Sequence, residues 1–144
     1  IVGGLGGRRS LAVAAMFADE YNTISATPDE CRTRRAALSD ACREHGRPPG
    51  SIRLSLMTTA ILGRDAAEVR SRAAATAERM GLDDPAQLTD RERRRGVVGT
   101  IDEAAARLRE LADAGIERIM LRNMCHDDLD AVGLMGELQQ EVNR

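Results

Sequence analysis

The stretch Ile1–Asn22, "IVGGLGGRRSLAVAAMFADEYN", decides how the rest of the chain is read. It passes from a short apolar start, through four glycines, into a run that is apolar nearly all round from Leu11 to Phe17. Ile1-Val2 reads as the end of a strand. The glycines permit positive φ and a sharp turn, and Arg8 to Ala18 reads as a well-buried helix. Then "YNTIS" (21–25) brings a second run with strand propensity. Strand, tight turn, helix and strand make one βαβ unit.

The alternation continues down the chain. In "TPDE" (27–30) Thr27 suits an N-cap, Pro28 the first helical position and Glu30 the closing residue of a capping box. That helix should run to His45 and stop at Gly46, burying Cys31, Leu38, Ala41 and Cys42. In "SIRLSLMTTAIL" (51–62) Ile52, Leu54 and Leu56 alternate with Arg53, Ser55 and Met57, after which both faces turn apolar, as in a buried strand. Asp65 and Glu68 repeat the capping spacing, and the helix they open should reach Met80 before Gly81. Residues 82–98, with Pro85 and the charge run "DRERRR", read as an excursion or loop, with a short helix as the alternative. Beyond it Thr100 and Glu103 box the start of a helix with Ile101, Leu108 and Leu111 along one stripe, ending at Gly115. "IERIML" (116–121) is a strand, and Asp128 to Val142 a last helix.

Composition narrows the function classes. Twenty-one arginines and no lysine stand against 23 acids, for a formal charge of -2; a nucleic-acid binder would show a basic excess. All-arginine usage fits the codon bias of a GC-rich genome. One Tyr, one Phe and no Trp leave no base-stacking surface. Three widely spaced cysteines without a CxxC fit a reducing cytoplasm better than a disulfide framework. No segment reaches the ~18 apolar residues of a membrane span, and no basic region precedes the apolar start as in a signal peptide. The first residue is Ile, which suggests a fragment, a processed chain or a trimmed one.

Alternating βα units demand an α/β fold with about four parallel strands and right-handed crossovers. One domain over residues 1–144 follows, either a flavodoxin-like open sheet complete in itself or, as a single partial domain, half of a (β/α)8 TIM barrel. A whole barrel needs about 250 residues.

Three segments carry a resemblance. Gly3, Gly4 and Gly6, then Leu11, Ala14, Ala15, Ala18, Asp19 and Asn22, resemble the glycine segment of the luciferase-like monooxygenase superfamily, particularly its coenzyme F420-dependent oxidoreductases. "ACREHGRPPGSI" (41–52) and "VGTIDEAAARLRELADAGIERIML" (98–121) are similar to later segments of that family, in the same order. The resemblance implies the C-terminal half of a (β/α)8 barrel, strands five to eight. It implies an intact enzyme that moves a hydride between an organic substrate and coenzyme F420, with FMN and oxygen as the sister chemistry. Family isoalloxazine contacts and proton donors would lie mostly in the other half, so the 144-residue chain alone is not expected to turn over.

The candidate site residues follow. Glycines before a helix free main-chain amides for an anion, aided by the helix dipole, and Arg8 or Arg9 can add a charged hydrogen bond. The competing reading is a tight βα turn that needs glycine for steric reasons alone. The resemblance assigns the cofactor phosphate to Gly4, Leu5, Gly6 and Gly7, with Arg8 beside them. Arg95, in "RERRRGVVGT" (91–100), is a second anion candidate for the deazaflavin's carboxylate tail, against the reading of a solvated charge run. In "NMCHDD" (123–128) Cys125 and His126 have no second His or Cys at ligand spacing, so no metal site is assigned, and Asp127 and Asp128 suit a helix cap. Asn22, Ser55, Met57 and Thr59 would point into a barrel. No catalytic acid/base pair has a persuasive spacing. As partners the reading implies a small-molecule substrate and neither nucleic acid nor membrane. A four-stranded half would also expose unpaired edges and an apolar inner face, which favours a homo-oligomer or a phosphate-binding, non-catalytic half-barrel.

Overall fold

The computed structural model describes residues 1–82 and 85–143, the side chains of 85–87, 89 and 91 excepted. The chain divides into two compact units, residues 1–57 with 111–120, and residues 58–110 with 121–144.

In the first unit β1 (Val2–Gly3) lies parallel to β2 (Glu20–Ile24), with Val2 opposite Tyr21. β2 lies parallel to the opening half of β3 (Arg53–Leu62), in a register that sets Asn22 against Ser55 and Ile24 against Met57. The crossovers are α1 (Arg8–Phe17) and α2 (Pro28–Glu44). α1 starts at the glycine turn with Gly7 as its N-cap and no side-chain cap bond. α2 starts on the expected capping box: Thr27 Oγ1 accepts from the Glu30 amide and the Glu30 carboxylate accepts from the Thr27 amide. It ends at His45, with Gly46 at φ +71°, a conformation open to glycine at little cost. Leu11, Ala14, Tyr21, Leu38, Leu54 and Leu56 are all buried. The side chains along β2 alternate: Tyr21 and Thr23 reach α1 and α2, while Glu20 and Asn22 take the opposite face.

In the second unit the closing half of β3 is parallel to β4 (Val97–Gly99), with Ala60 opposite Val97 and Leu62 opposite Gly99. Its helices are α3 (Ala66–Arg79), α4 (Pro85–Arg95), most of α5 (Ile101–Asp113) and α6 (Leu129–Val142). Ile61 of β3, Val69, Ala73 and Ala77 of α3, and Leu88 of α4 form its core. β5 (Arg118–Arg122) pairs with β3.

Residues 82–98, read from sequence as an excursion, hold the eleven-residue helix α4 and most of the short strand β4; positions 83 and 84 lie outside the described residues. The helix forms because Leu88 fills the space beside Ile61 and α3. A single buried leucine among polar neighbours gives almost no apolar period for a sequence reading to detect. Among the described residues no helix is long and apolar enough to cross a membrane.

Candidate functional site

The glycine turn leaves the carboxyl end of β1, and the Ser25–Thr27 segment leaves the carboxyl end of β2 beside it. Gly4 extends the β1–β2 pairing: its amide donates to Asn22 O at 3.0 Å. The Gly6 amide donates to Tyr21 Oη at 3.0 Å, Tyr21 Oη lies 2.9 Å from Ser10 Oγ, and Ser10 Oγ donates to Gly7 O at 2.9 Å. Ser10 spends its proton on the carbonyl, so Tyr21 must give its own proton to Ser10. The result is a relay with one direction, from amide to phenol to hydroxyl to carbonyl, anchored on a tyrosine that is fully buried. Such chains polarise and stiffen one another.

Glycine is required here for two different reasons. A Cβ on Gly4 would stand 2.4 Å from Tyr21 Oη and 2.7 Å from Ser10 Oγ. Gly6 has φ +88° and also lies against Arg34, whose Cγ would be 3.2 Å from an added Cβ.

Two of the turn's amides are thus engaged within the protein. Among the described residues no acceptor takes the amides of Leu5, Gly7, Arg8, Arg9 or Ser10. Arg8 and Leu5 are exposed. A hollow of about 370 Å³ beside the turn is lined by Leu5, Gly6, Thr33 and Arg34, with Asp29 and Glu30 at its margin. A second hollow, of about 560 Å³, runs between α1 and α2 past Arg8, Asp40, Glu44 and His45. The Arg34 guanidinium donates to Thr23 Oγ1, which aims its stem along the turn. Ser25, just past β2, has φ +38°, rare for a residue with a side chain. Nothing in the local sequence signalled it.

On the opposite face of the same strands Asn22 Nδ2 donates to Ser55 Oγ at 2.9 Å, so two of the residues expected to face inward share one face. The sequence reading missed their neighbour Glu20. Its side chain is buried, 3.2 Å from Arg118 Nη1 and 3.7 Å from Arg53 Nη1. The Ser55 hydroxyl, and then the two guanidinium groups, hold its carboxyl below the usual range against the opposing effect of burial. Met57 is half-buried.

In the second unit Thr59 is buried and accepts from Arg122 Nη2 at 3.2 Å. Arg95 closes α4, and its carbonyl accepts from Thr58 Oγ1 at 2.9 Å. The segment after β5 is tied down. Asn123 Oδ1 accepts from the Cys125 amide at 3.0 Å and Nδ2 donates to Cys125 O at 2.9 Å. Asp128 caps α6 through the Ala131 amide at 2.9 Å and accepts from Arg72 Nε at 2.8 Å. Asp130 meets Arg72 and Arg64, and Asp127 meets Arg79. The arginine bonds hold the Asp128 and Asp130 carboxyls below the usual range. Cys125 is buried, and no group of His, Cys, Asp and Glu suited to a metal occurs among the described residues.

A family model described as luciferase-like monooxygenase matches residues 1–118. A comparison with curated proteins finds no match. Among solved structures, the coenzyme F420-dependent tetrahydromethanopterin reductase of Methanopyrus kandleri is 18% identical, over 94% of this chain and 48% of its own, at a TM-score of 0.69. An F420-dependent secondary alcohol dehydrogenase, solved with an F420–acetone adduct, is 18% identical over 97% of this chain and 47% of its own, at 0.73. A long-chain alkane monooxygenase is 16% identical over 96% and 40%, at 0.68. The chain therefore spans about half the length of these structures or less. Its parallel sheet and flanking helices are half of a (β/α)8 barrel. With the model matching from β1 to the first residue of β5, the chain belongs to the luciferase-like monooxygenase family.

Proposed function

We infer that this chain is the part of a flavin- or deazaflavin-dependent oxidoreductase that holds the cofactor's phosphate, in an enzyme moving a hydride between coenzyme F420 and an organic substrate. The observation that carries the reading is the glycine turn. Its shape is fixed by the Tyr21–Ser10 relay, its Cβ space is closed at Gly4, and the amides of Leu5, Gly7, Arg8 and Arg9 have no acceptor among the described residues. A phosphate fits that donor set. The main-chain amides that would hold it are those of Leu5 and Gly7, with Arg8 adding a charged bond, while Gly4 and Gly6, whose amides donate within the protein, shape the turn. When bound, the cofactor supplies two-electron hydride chemistry, or oxygen chemistry if it is FMN. The residues of this chain bind and orient it and exclude water.

Two of the solved relatives are F420-dependent by their names and one is a monooxygenase, so parallel titrations with coenzyme F420 and with FMN, followed by fluorescence, choose between the two chemistries. Saturable binding of one of them, weakened about tenfold in Arg8→Gln, supports the reading. Binding that ignores Arg8→Gln, or amide NMR shifts that avoid Leu5–Ser10 when inorganic phosphate is added, sinks it. The competing reading is a non-catalytic half-barrel that binds a phosphate ligand or self-associates. It draws on the exposed Val13, Met16 and Phe17 on one side of α1.

A further inference from the structure

We propose that Arg122 and Thr59 form an oxyanion subsite for a small-molecule ligand, made of residues other than those of the glycine turn. Arg122 is the last residue of β5, and the carboxyl ends of barrel strands are where ligands and chemistry gather. Its guanidinium has five N–H donors, and the structure shows one engaged, Nη2 on Thr59 Oγ1 at 3.2 Å. The residue itself is exposed, whereas Thr59 is buried to 1% exposure.

Arg122 makes no salt bridge among the described residues, its one contact shown being with Thr59. The acids that follow it in sequence are committed elsewhere: Asp127 to Arg79, Asp128 to Arg72, Asp130 to Arg64 and Arg72. The segment just after Arg122 is held by the Asn123 side chain on both the amide and the carbonyl of Cys125. The strand end that carries Arg122 therefore leads into a fixed turn, and the Thr59 anchor restricts the arginine's rotamers, which lowers the ordering cost of binding. Thr59 is buried and accepts from Arg122, so it positions the guanidinium, whose remaining N–H donors form a fork for one carboxylate or phosphate.

The test is an NMR titration of the 144-residue chain with two probes, sodium benzoate and inorganic phosphate, at constant ionic strength. Saturable shifts at Thr59 and Arg122–Met124 are expected, and the probe that gives them tells carboxylate from phosphate. Affinity should fall about tenfold or more in Arg122→Gln, fall less in Thr59→Val, and return in part in Arg122→Lys. It should stay unchanged in Arg109→Gln, which alters an exposed arginine on α5. Equal loss in Arg109→Gln, binding untouched by Arg122→Gln in a variant with a wild-type amide spectrum, or the absence of saturation overturns the subsite. Phosphate shifts confined to Leu5–Ser10 overturn it too, while supporting the glycine turn.

Discussion

At the scale of single residues, Tyr21 supports the glycine turn more directly than the glycines do. Its hydroxyl takes the Gly6 amide and gives to Ser10, and both of its partners lie in or next to the turn. Tyr21→Phe keeps the buried ring and removes the oxygen, leaving the Gly6 amide without its acceptor. The expected loss is about 1–2 kcal/mol in urea unfolding. Gly4→Ala should cost about 1–3 kcal/mol, because its Cβ would meet Tyr21 Oη at 2.4 Å and the surroundings must shift. The two changes share one oxygen atom, so the double variant should lose less than the sum of the single losses. Additive losses in the same assay would mean that the turn does not lean on the phenol. The glycine turn was legible in the sequence because four glycines directly before an apolar helical run free the backbone for a sharp turn. Tyr21 was not, because a tyrosine in a strand has no local mark of which hydroxyl or amide it will meet fifteen residues away.

At the scale of elements, the helix starts were legible and the pairing of side chains between elements was not. Thr27 and Glu30 sit three apart in sequence and form the box they suggested; Thr100 and Glu103 do the same for α5, through the Thr100 amide and the Glu103 carboxylate at 2.8 Å. Thr27→Ala should lower stability by about 1 kcal/mol, read as a fall in the urea midpoint at unchanged slope. The Asp128 cap was foreseen, but its second partner, Arg72, lies 56 positions away and carries no sequence signal. Glu20 escaped for the same reason: Arg118 is 98 positions downstream. α4 escaped because its period is nearly all polar. The cluster around Asp128 and Asp130 makes a pH prediction. Both carboxyls titrate below the ordinary aspartate value of 3.8 in the folded chain. Their charged forms therefore stabilise the fold at neutral pH, and that contribution is lost as pH falls below about 4. Amide protection factors at residues 123–130, corrected for the intrinsic pH dependence of exchange, should fall in that window ahead of those in α2. In Arg72→Gln the same residues should exchange faster already at pH 7. Protection factors at 123–130 that stay flat from pH 6 to pH 3 would show that the arginines do not hold this segment.

At the scale of the whole molecule, the decisive fact is the ratio of lengths. Nearly all of this chain superposes on structures of which it covers 40–48%. A closed barrel has no free strand edge, but β1 pairs with β2 alone among the described residues. The helix next to it carries Val13, Met16 and Phe17 in an exposed stripe at helical spacing, with Phe17 78% exposed. An open edge beside an uncovered apolar stripe is a surface that associates. The expected behaviour of the purified 144-residue chain is twofold. It should show no F420- or FMN-dependent turnover. In light scattering coupled to size exclusion it should run above the 15.6 kDa of one copy. Phe17→Glu places a charge on the stripe at an exposed position, where folding does not depend on the ring, and should return the chain to one copy with its circular dichroism unchanged. A wild-type chain that elutes as one copy at tens of micromolar would show that this stripe and edge are tolerated in water. The burial they need would then have to come from elsewhere in the fold.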